Sequence, residues 1–306
     1  MKLDSPASLR RKIGSAADLQ SVVRAMKAQA AASVGQYERS VAALGDYARS
    51  VELGLGVCFR QEAARAASTP PAPPARPKAA TEIRAIVFGS DQGLVGRFND
   101  LVVDLARSSL EKMPAPAKVW AVGERVRASL LDTDMPLLGV FAVPGSVQAI
   151  AALVTDILVT VVKESGDPDQ TATAIELHLY YNRPQSGSTY APVSQRLLPL
   201  DADWQRGLAT QPWPTNMLPE TLGKLAMTLR ALIREYLFVS LFRACAESLA
   251  SENASRLAAM DRADRNIDEM LGTLNDSLHR LRQSQIDEEL SDVISGFKAL
   301  SESTAA

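Results

Sequence analysis

Residues 83–100, IRAIVFGSDQGLVGRFND, decide how the middle of this chain is read. The apolar run IRAIVF (83–88) leads into a loop with glycines at 89, 93 and 96, and LVVDLARSSLEKM (101–113) continues as a helix. Strand, glycine loop and helix form the layout used by many phosphate-binding sites. This loop lacks what such a site needs. A Walker A loop requires a lysine for the β/γ phosphates and a hydroxyl for magnesium after its last glycine, but here Arg97 and Phe98 follow Gly96. The dinucleotide fingerprint fails as well, since no two of these glycines are two residues apart. Asp91 places a negative charge where phosphate would need attraction. The loop therefore reads as a tight strand-to-helix turn.

Outward from the loop, strand-like and helical runs alternate. Strands are expected at 83–88, 118–123, 139–144, 174–182 and 194–200, and helices at 99–113, 123–132 and 146–164. Alternation of this kind predicts an α/β layer with a mostly parallel sheet. Upstream lies STPPAPPARPKAATE (68–82), whose prolines suit a stiff spacer.

The prolines also delimit the flanks. None lies between Pro6 and Pro70, and none follows Pro219. Proline is excluded from helix interiors because it lacks the amide donor and clashes with the preceding turn, so both flanks are free to be long helices. From Leu218, alternating steps of four and three give Leu222, Leu225, Leu229, Leu232, Tyr236 and Val239, and the seam continues to Leu281. Only Arg243, Asn253 and Asp264 break it. A heptad sustained this long argues for a coiled coil. The N-terminal flank carries a weaker seam from Leu9 through Ile13, Ala16, Val23, Met26, Ala30, Tyr37, Leu44, Tyr47 and Val51, interrupted by Gln20, Ser33, Ser40 and Gly54. Its glycines each cost up to about 1 kcal/mol of helix propensity, so this helix needs a partner, and the C-terminal helix is the obvious one. The expected architecture is α/β plus a long antiparallel coiled coil, the N- and C-terminal helices paired around an inserted Rossmann-like central domain. Its segments are 1–67 (helix), 68–82 (linker), 83–216 (α/β domain) and 217–306 (helix).

Bulk properties exclude several classes. A net charge of −2 gives no global basic surface for nucleic acid. No run of about 18 apolar residues could span a bilayer, and the first residues lack the pattern of a signal peptide. Cys58 and Cys245, two in all, cannot build a metal cluster or a disulfide framework, and read as reduced thiols. His178 and His279 share no motif. Residues 1–30 are locally basic, with Lys2, Arg10, Arg11, Lys12, Arg24 and Lys27 against Asp4 and Asp18, which suits either an acidic partner or a solvated helix face. The seam slips at RQSQ (282–285) and resumes as Leu290, Val293 with Ile294, Phe297 and Leu300. A helix that leaves its partner must expose its apolar residues or bury them in something else.

Four stretches together resemble the gamma subunit of F-type ATP synthases. LRRKIGSAADLQSVVRAMKAQAAAS (9–33) is similar to the family's opening helix, and SDQGLVGRFN (90–99) to its S-D-R-G-L-C-G-x-F-N loop. SENASRLAAMDRADRN (251–266) is similar to S-E-x-x-x-R-M-x-A-M-x-x-A-x-x-N, and RQSQIDEELSDVISGFKA (282–299) to the terminal signature. Gln92, Val95, Arg97, Asp287 and Phe297 depart from the family pattern, and with the proline linker they mark a divergent branch, such as the alternate F-type ATPases.

The resemblance implies a non-catalytic rotor shaft standing among three alpha and three beta subunits, with no cofactor of its own, its foot on the epsilon subunit and the membrane rotor ring. It implies a peripheral place on the cytoplasmic face of the bacterial inner membrane, without direct insertion. By the same resemblance, Arg282 and Gln283 would meet the beta catch loop, while Met26, Arg10, Arg11, Lys12, Arg24 and Lys27 would lie by beta's acidic lever. Ile286, Leu290, Val293, Ile294, Phe297 and Leu300 would form the tip that bears on the hexamer. The competing expectations are a Rossmann-like nucleotide-binding enzyme with helical oligomerisation arms, and an unrelated coiled-coil scaffold.

Overall fold

The computed structural model describes residues 5–68, 82–133, 135–163, 175–185, 189–217, 219–221 and 223–303. The linker expected at 68–82 lies almost wholly outside them. The elements in order are α1 (Pro6–Ser68), β1 (Glu82–Phe88), α2 (Phe98–Leu110), β2 (Ala117–Val122), α3 (Glu124–Leu131), β3 (Leu137–Phe141), α4 (Val147–Lys163), β4 (Ile175–Pro184), β5 (Tyr190–Leu198), α5 (Ala202–Thr210) and α6 (Leu225–Ser303). They form two compact units, one of residues 30–256 and one pairing residues 1–29 with 257–306.

The larger unit is built on a five-stranded sheet of order β3-β2-β1-β4-β5. β1 pairs in parallel with β2 and β4, β2 in parallel with β3, and β4 antiparallel with β5. The mostly parallel expectation holds because β1, β2 and β4 are buried on both faces, which is where continuous apolar runs belong. Alternation along β1 sorts its side chains. Ile83, Ala85 and Val87 pack against Val102, Ala106, Val126 and Leu130 of α2 and α3. Ile86 and Phe88 join Ile150, Val154 and Ile157 of α4 with Leu241, Cys245 and Leu249 of α6 on the opposite face. The result is a helix–sheet–helix sandwich.

In this unit α1 and α6 also run antiparallel. Tyr37 shares a core with Leu241 and Cys245, and the Tyr47 hydroxyl donates to Glu235 at 2.6 Å. Tyr47, expected on the apolar seam, is 45% exposed and makes that polar contact instead. α5 was not anticipated. Asp201 caps it by accepting from the amides of Asp203 (2.8 Å) and Trp204 (3.0 Å), and Leu208 and Trp204 pack on Val51, Leu55 and Phe59 of α1. α6 begins at Leu225, later than the heptad count from Leu218 suggested. Leu218 and Leu222 lie outside the described residues.

The smaller unit is a two-helix pair. Gln20 hydrogen-bonds Asp264 and Asp268, and Lys27 meets Asp261, so numbers rise along one helix as they fall along the other. Ala16, Val23, Met260 and Ile267 form its core, with Met26, Ala259, Ala263 and Leu271 packed beside them. Leu9 and Leu278 are buried toward its far end.

Candidate functional site

Two places carried functional expectations. In the smaller unit, α1 starts at Pro6, and the antiparallel stagger exhausts it near Leu281 of α6. From Arg282 to Ser295 every side chain is exposed. Ile286 (56%), Leu290 (54%), Val293 (69%) and Ile294 (56%) recur at helical spacing and so share one face. Glu288 and Asp292 occupy the other, and Asp287 borders the stripe beside Ile294. This leaves an apolar stripe in solvent on a helix that is paired as far as about Leu281. Arg282 and Gln283 begin this exposed stretch. The side chains of Phe297 and Leu300 lie outside the described residues.

The basic residues of α1 divide into two groups. Arg10, Arg11 and Lys12 are exposed. Arg11 and Lys12, with Leu19, Met270 and Leu274, border an open cavity of about 420 Å³, beside which Leu19 and Met270 are each more than half exposed. Arg24 and Lys27 are engaged within the pair. Arg24 Nε lies 3.0 Å from Asp264 Oδ1, and Lys27 Nζ lies 2.5 Å from Asp261 Oδ1. The Lys27 and Arg265 hydrogen bonds hold the Asp261 carboxyl down at about 2. Met26 packs against the apolar core. Sequence inspection treated Gln20 and Asp264 only as flaws in two apolar seams. Their signal was there, since each seam breaks where an antiparallel partner would break too.

In the larger unit the glycine loop is tied down on all sides. The Ser90 amide donates to Asn99 Oδ1 at 3.0 Å, and Asn99 Nδ2 returns a bond to Ser90 Oγ at 2.9 Å. Asp91 accepts from the amides of Glu124 (2.9 Å) and Val143 (3.0 Å), so its charge serves the start of α3 and the chain after β3. Gly96 takes φ +57°, a left-handed conformation that glycine adopts without strain. Asn182 Nδ2 donates to the Phe98 carbonyl at 2.9 Å, Ser251 donates to the Asn182 carbonyl at 3.0 Å, and Ser255 donates to the Val95 carbonyl at 2.6 Å. Glu252, buried beside these serines, pairs with Arg256 at 2.6 Å; burial raises its carboxyl above the usual range while Arg256 opposes the shift. The loop and residues 251–256 of α6 are thus one hydrogen-bonded assembly.

The Ser90 and Asp91 side chains and the Val95 and Phe98 carbonyls bond to protein partners, and Arg125 lies beside Gly93 with Asp100 and Asp132 near by. Among the described residues no group of three or more His, Cys, Asp or Glu could hold a metal ion. His178 is buried in β4 and bonded to Glu176 at 2.9 Å.

The ATP synthase family model matches residues 5–300. The chain belongs to the ATP synthase gamma family. It is 29% identical to the ATP synthase gamma chain of Moorella thermoacetica, over 95% of this chain and 98% of the relative. It is 29% identical to the gamma chain of Syntrophus aciditrophicus, over 95% and 97%. The fold is similar to a chain of the Euglena gracilis mitochondrial ATP synthase rotor, with TM-score 0.56 and 16% identity over 92% of this chain and 98% of that one. It is also similar to a chain of the Tetrahymena thermophila mitochondrial ATP synthase central stalk and c-ring, with TM-score 0.52 and 21% identity over 79% and 99%. As a gamma chain it is a central-stalk rotor subunit, and the reading as a Rossmann-like nucleotide-binding enzyme is not favoured. Among the described residues no helix is long and apolar enough to cross a membrane.

Proposed function

We propose that this gamma chain turns inside a hexamer of three alpha and three beta subunits, and that catalysis lies in the beta subunits. The chain is then a ligand whose orientation sets which nucleotide state each beta subunit favours. It can shift that balance only by contacting the states differently as it turns. The observation that carries this reading is the uninterrupted exposure of residues 282–295 with its apolar stripe. Such a stripe suits the bore of a larger ring. Ile286, Leu290, Val293, Ile294, Phe297 and Leu300 would bear on that ring, and Arg282 and Gln283 would meet the beta catch loop. Arg10, Arg11 and Lys12 would steer beta's acidic lever past Met26. Arg24 and Lys27 would reach that lever only by sharing charge already spent on Asp264 and Asp261. The sheet domain would form the foot on the epsilon subunit and the membrane rotor ring, at the cytoplasmic face of a bacterial inner membrane. The sequence departures would suit a divergent branch such as the alternate F-type ATPases.

Truncation after Leu281 tests this. Residues 282–295 make no buried packing in the isolated chain, so its melting midpoint should stay within about 2 °C, which corresponds to well under 1 kcal/mol. Assembled with its partner subunits, the same chain should lose coupling between ATP hydrolysis and ion transport. Fully coupled membranes after that truncation would refute the placement of the tip.

A further inference from the structure

The polar layer in the smaller unit does more than join two helices. Gln20 is 8% exposed, yet it sits at a seam position where an apolar residue is expected. Its amide donates to Asp264 Oδ1 at 3.2 Å and to Asp268. Arg24 Nη2 reaches Asp268 at 3.5 Å, and Lys27 Nζ lies 3.9 Å from Asp264 Oδ2 as well as against Asp261. Around this layer the apolar packing is supplied by Ala16, Val23, Met260 and Ile267, with Met26, Ala259, Ala263 and Leu271 beside them. Three acids on α6 therefore face an amide and two cations on α1 within an otherwise apolar seam. Asp261 and Asp264 fall at positions the family's S-E-x-x-x-R run leaves open, so the layer belongs to this chain rather than to that motif.

We propose that this layer is a pairing-specificity lock that commits the 257–281 segment of α6 to α1 of the same chain and rejects a second copy of α6. The heptad seam of α6 would otherwise serve a homotypic coiled coil equally well. In such a pair, whether parallel and in register or antiparallel about Asp264, Asp261, Asp264 and Asp268 face the same acids on the other copy. Pairing α1 with α1 sets Arg24 and Lys27 against themselves. Only the α1–α6 combination sets cations against these acids and gives the buried amide its acceptors. Specificity here comes from what the wrong pair would suffer, and leucine at Gln20 and Asp264, the least exposed members of the layer, would gain apolar packing in exchange for the polar contact. That distinguishes a lock from a network that merely stabilises.

The test uses the full chain carrying Ser15→Cys and Met270→Cys, two residues that line one cavity across the pair; the native thiols Cys58 and Cys245 are buried. With the native layer, mild oxidation should close the disulfide within one chain. With Gln20→Leu, Asp264→Leu and Asp268→Leu added, the disulfide-linked dimer should rise about tenfold and grow with protein concentration. The melting midpoint should hold or increase. An unchanged dimer share, or one that rises only alongside a lower midpoint, overturns the proposal. If the leucine variant proves insoluble, Lys27→Asp alone should raise the dimer share and Lys27→Asp with Asp261→Lys should return it. Failure of the exchange to restore intrachain closure overturns the proposal equally.

Discussion

The hydroxyl of Ser255 on α6 donates to the carbonyl of Val95 in the glycine loop at 2.6 Å, joining two stretches 160 residues apart in sequence. Both are buried, so the carbonyl has no water to fall back on. Ser255→Ala should cost about 1–3 kcal/mol, because a buried acceptor is left bare. Thermal unfolding would read that loss. Hydrogen exchange should show faster exchange at residues 94–99, with the amides of β1 unaffected.

Asp91 supports a second prediction, which also separates a structural loop from a ligand site. Its two oxygens hold the amides of Glu124 and Val143, so Asp91→Ala strands two donors and should cost about 2–3 kcal/mol. If the carboxylate only braces the fold, millimolar ATP or NAD should leave the melting midpoint of the native chain and of the variant unchanged. A ligand-dependent increase in either would revive the nucleotide reading, since anything that binds only the folded state raises its stability by mass action.

A backbone constraint beside Asp91 can be tested independently. Gly123 has φ +115°, and a Cβ there would lie 2.6 Å from the Ser90 carbonyl oxygen. Neither the conformation nor the space admits a side chain, and the obstacle is backbone that cannot rotate away. Gly123→Ala should therefore destabilise the chain by about 3 kcal/mol or more, seen as a large drop in denaturant midpoint. Gly145→Ala, where nothing lies within 4 Å, is the matched control and should change little.

The local patterns were legible because they are set by neighbours in sequence. Apolar runs between glycines and prolines gave the five strands seen among the described residues, each within a few positions. What escaped was fixed at long range. α5 exists because Leu208 and Trp204 find Val51, Leu55 and Phe59 more than 140 residues earlier; its periodicity over nine residues is too short to announce it, although the Asp201 cap was a visible clue. The start of α6 at Leu225 interrupts no heptad position, so heptad counting cannot sense it. At the candidate site the exposed stripe at Ile286, Leu290 and Val293 was readable as a seam outlasting its partner. The engagement of Arg24 and Lys27 was not, because charge along one helix says nothing of the acids on another.

The cysteines report on the core without any engineering. Cys58 and Cys245 are each 1% exposed, and burial pushes both thiols up. Both depletion of thiolate and loss of access slow alkylation. Native protein should resist a maleimide for hours and label with two equivalents once unfolded, at a rate that tracks unfolding. Rapid labelling of Cys245 under native conditions would mean that the contact between α6 and the sheet is not the one described.

The Asp261 carboxyl gives the acid limb of the stability profile a specific contributor. Hydrogen bonds from Lys27 and then Arg265 lower it from 3.8 to about 2 in the folded chain. A carboxyl depressed on folding adds stability above its unfolded value and surrenders it as pH falls through the folded one. The contribution of Asp261 should therefore be full at pH 5 and above, shrink between about pH 4 and pH 2, and be gone below that. Asp261→Asn should lower the melting midpoint at pH 6, and the gap between variant and native chain should close across that interval. The carboxylate is exposed, so salt should narrow the gap as well. A difference that persists unchanged at pH 2, or widens on acidification, would show that Lys27 and Arg265 do not hold the ionised form of this side chain.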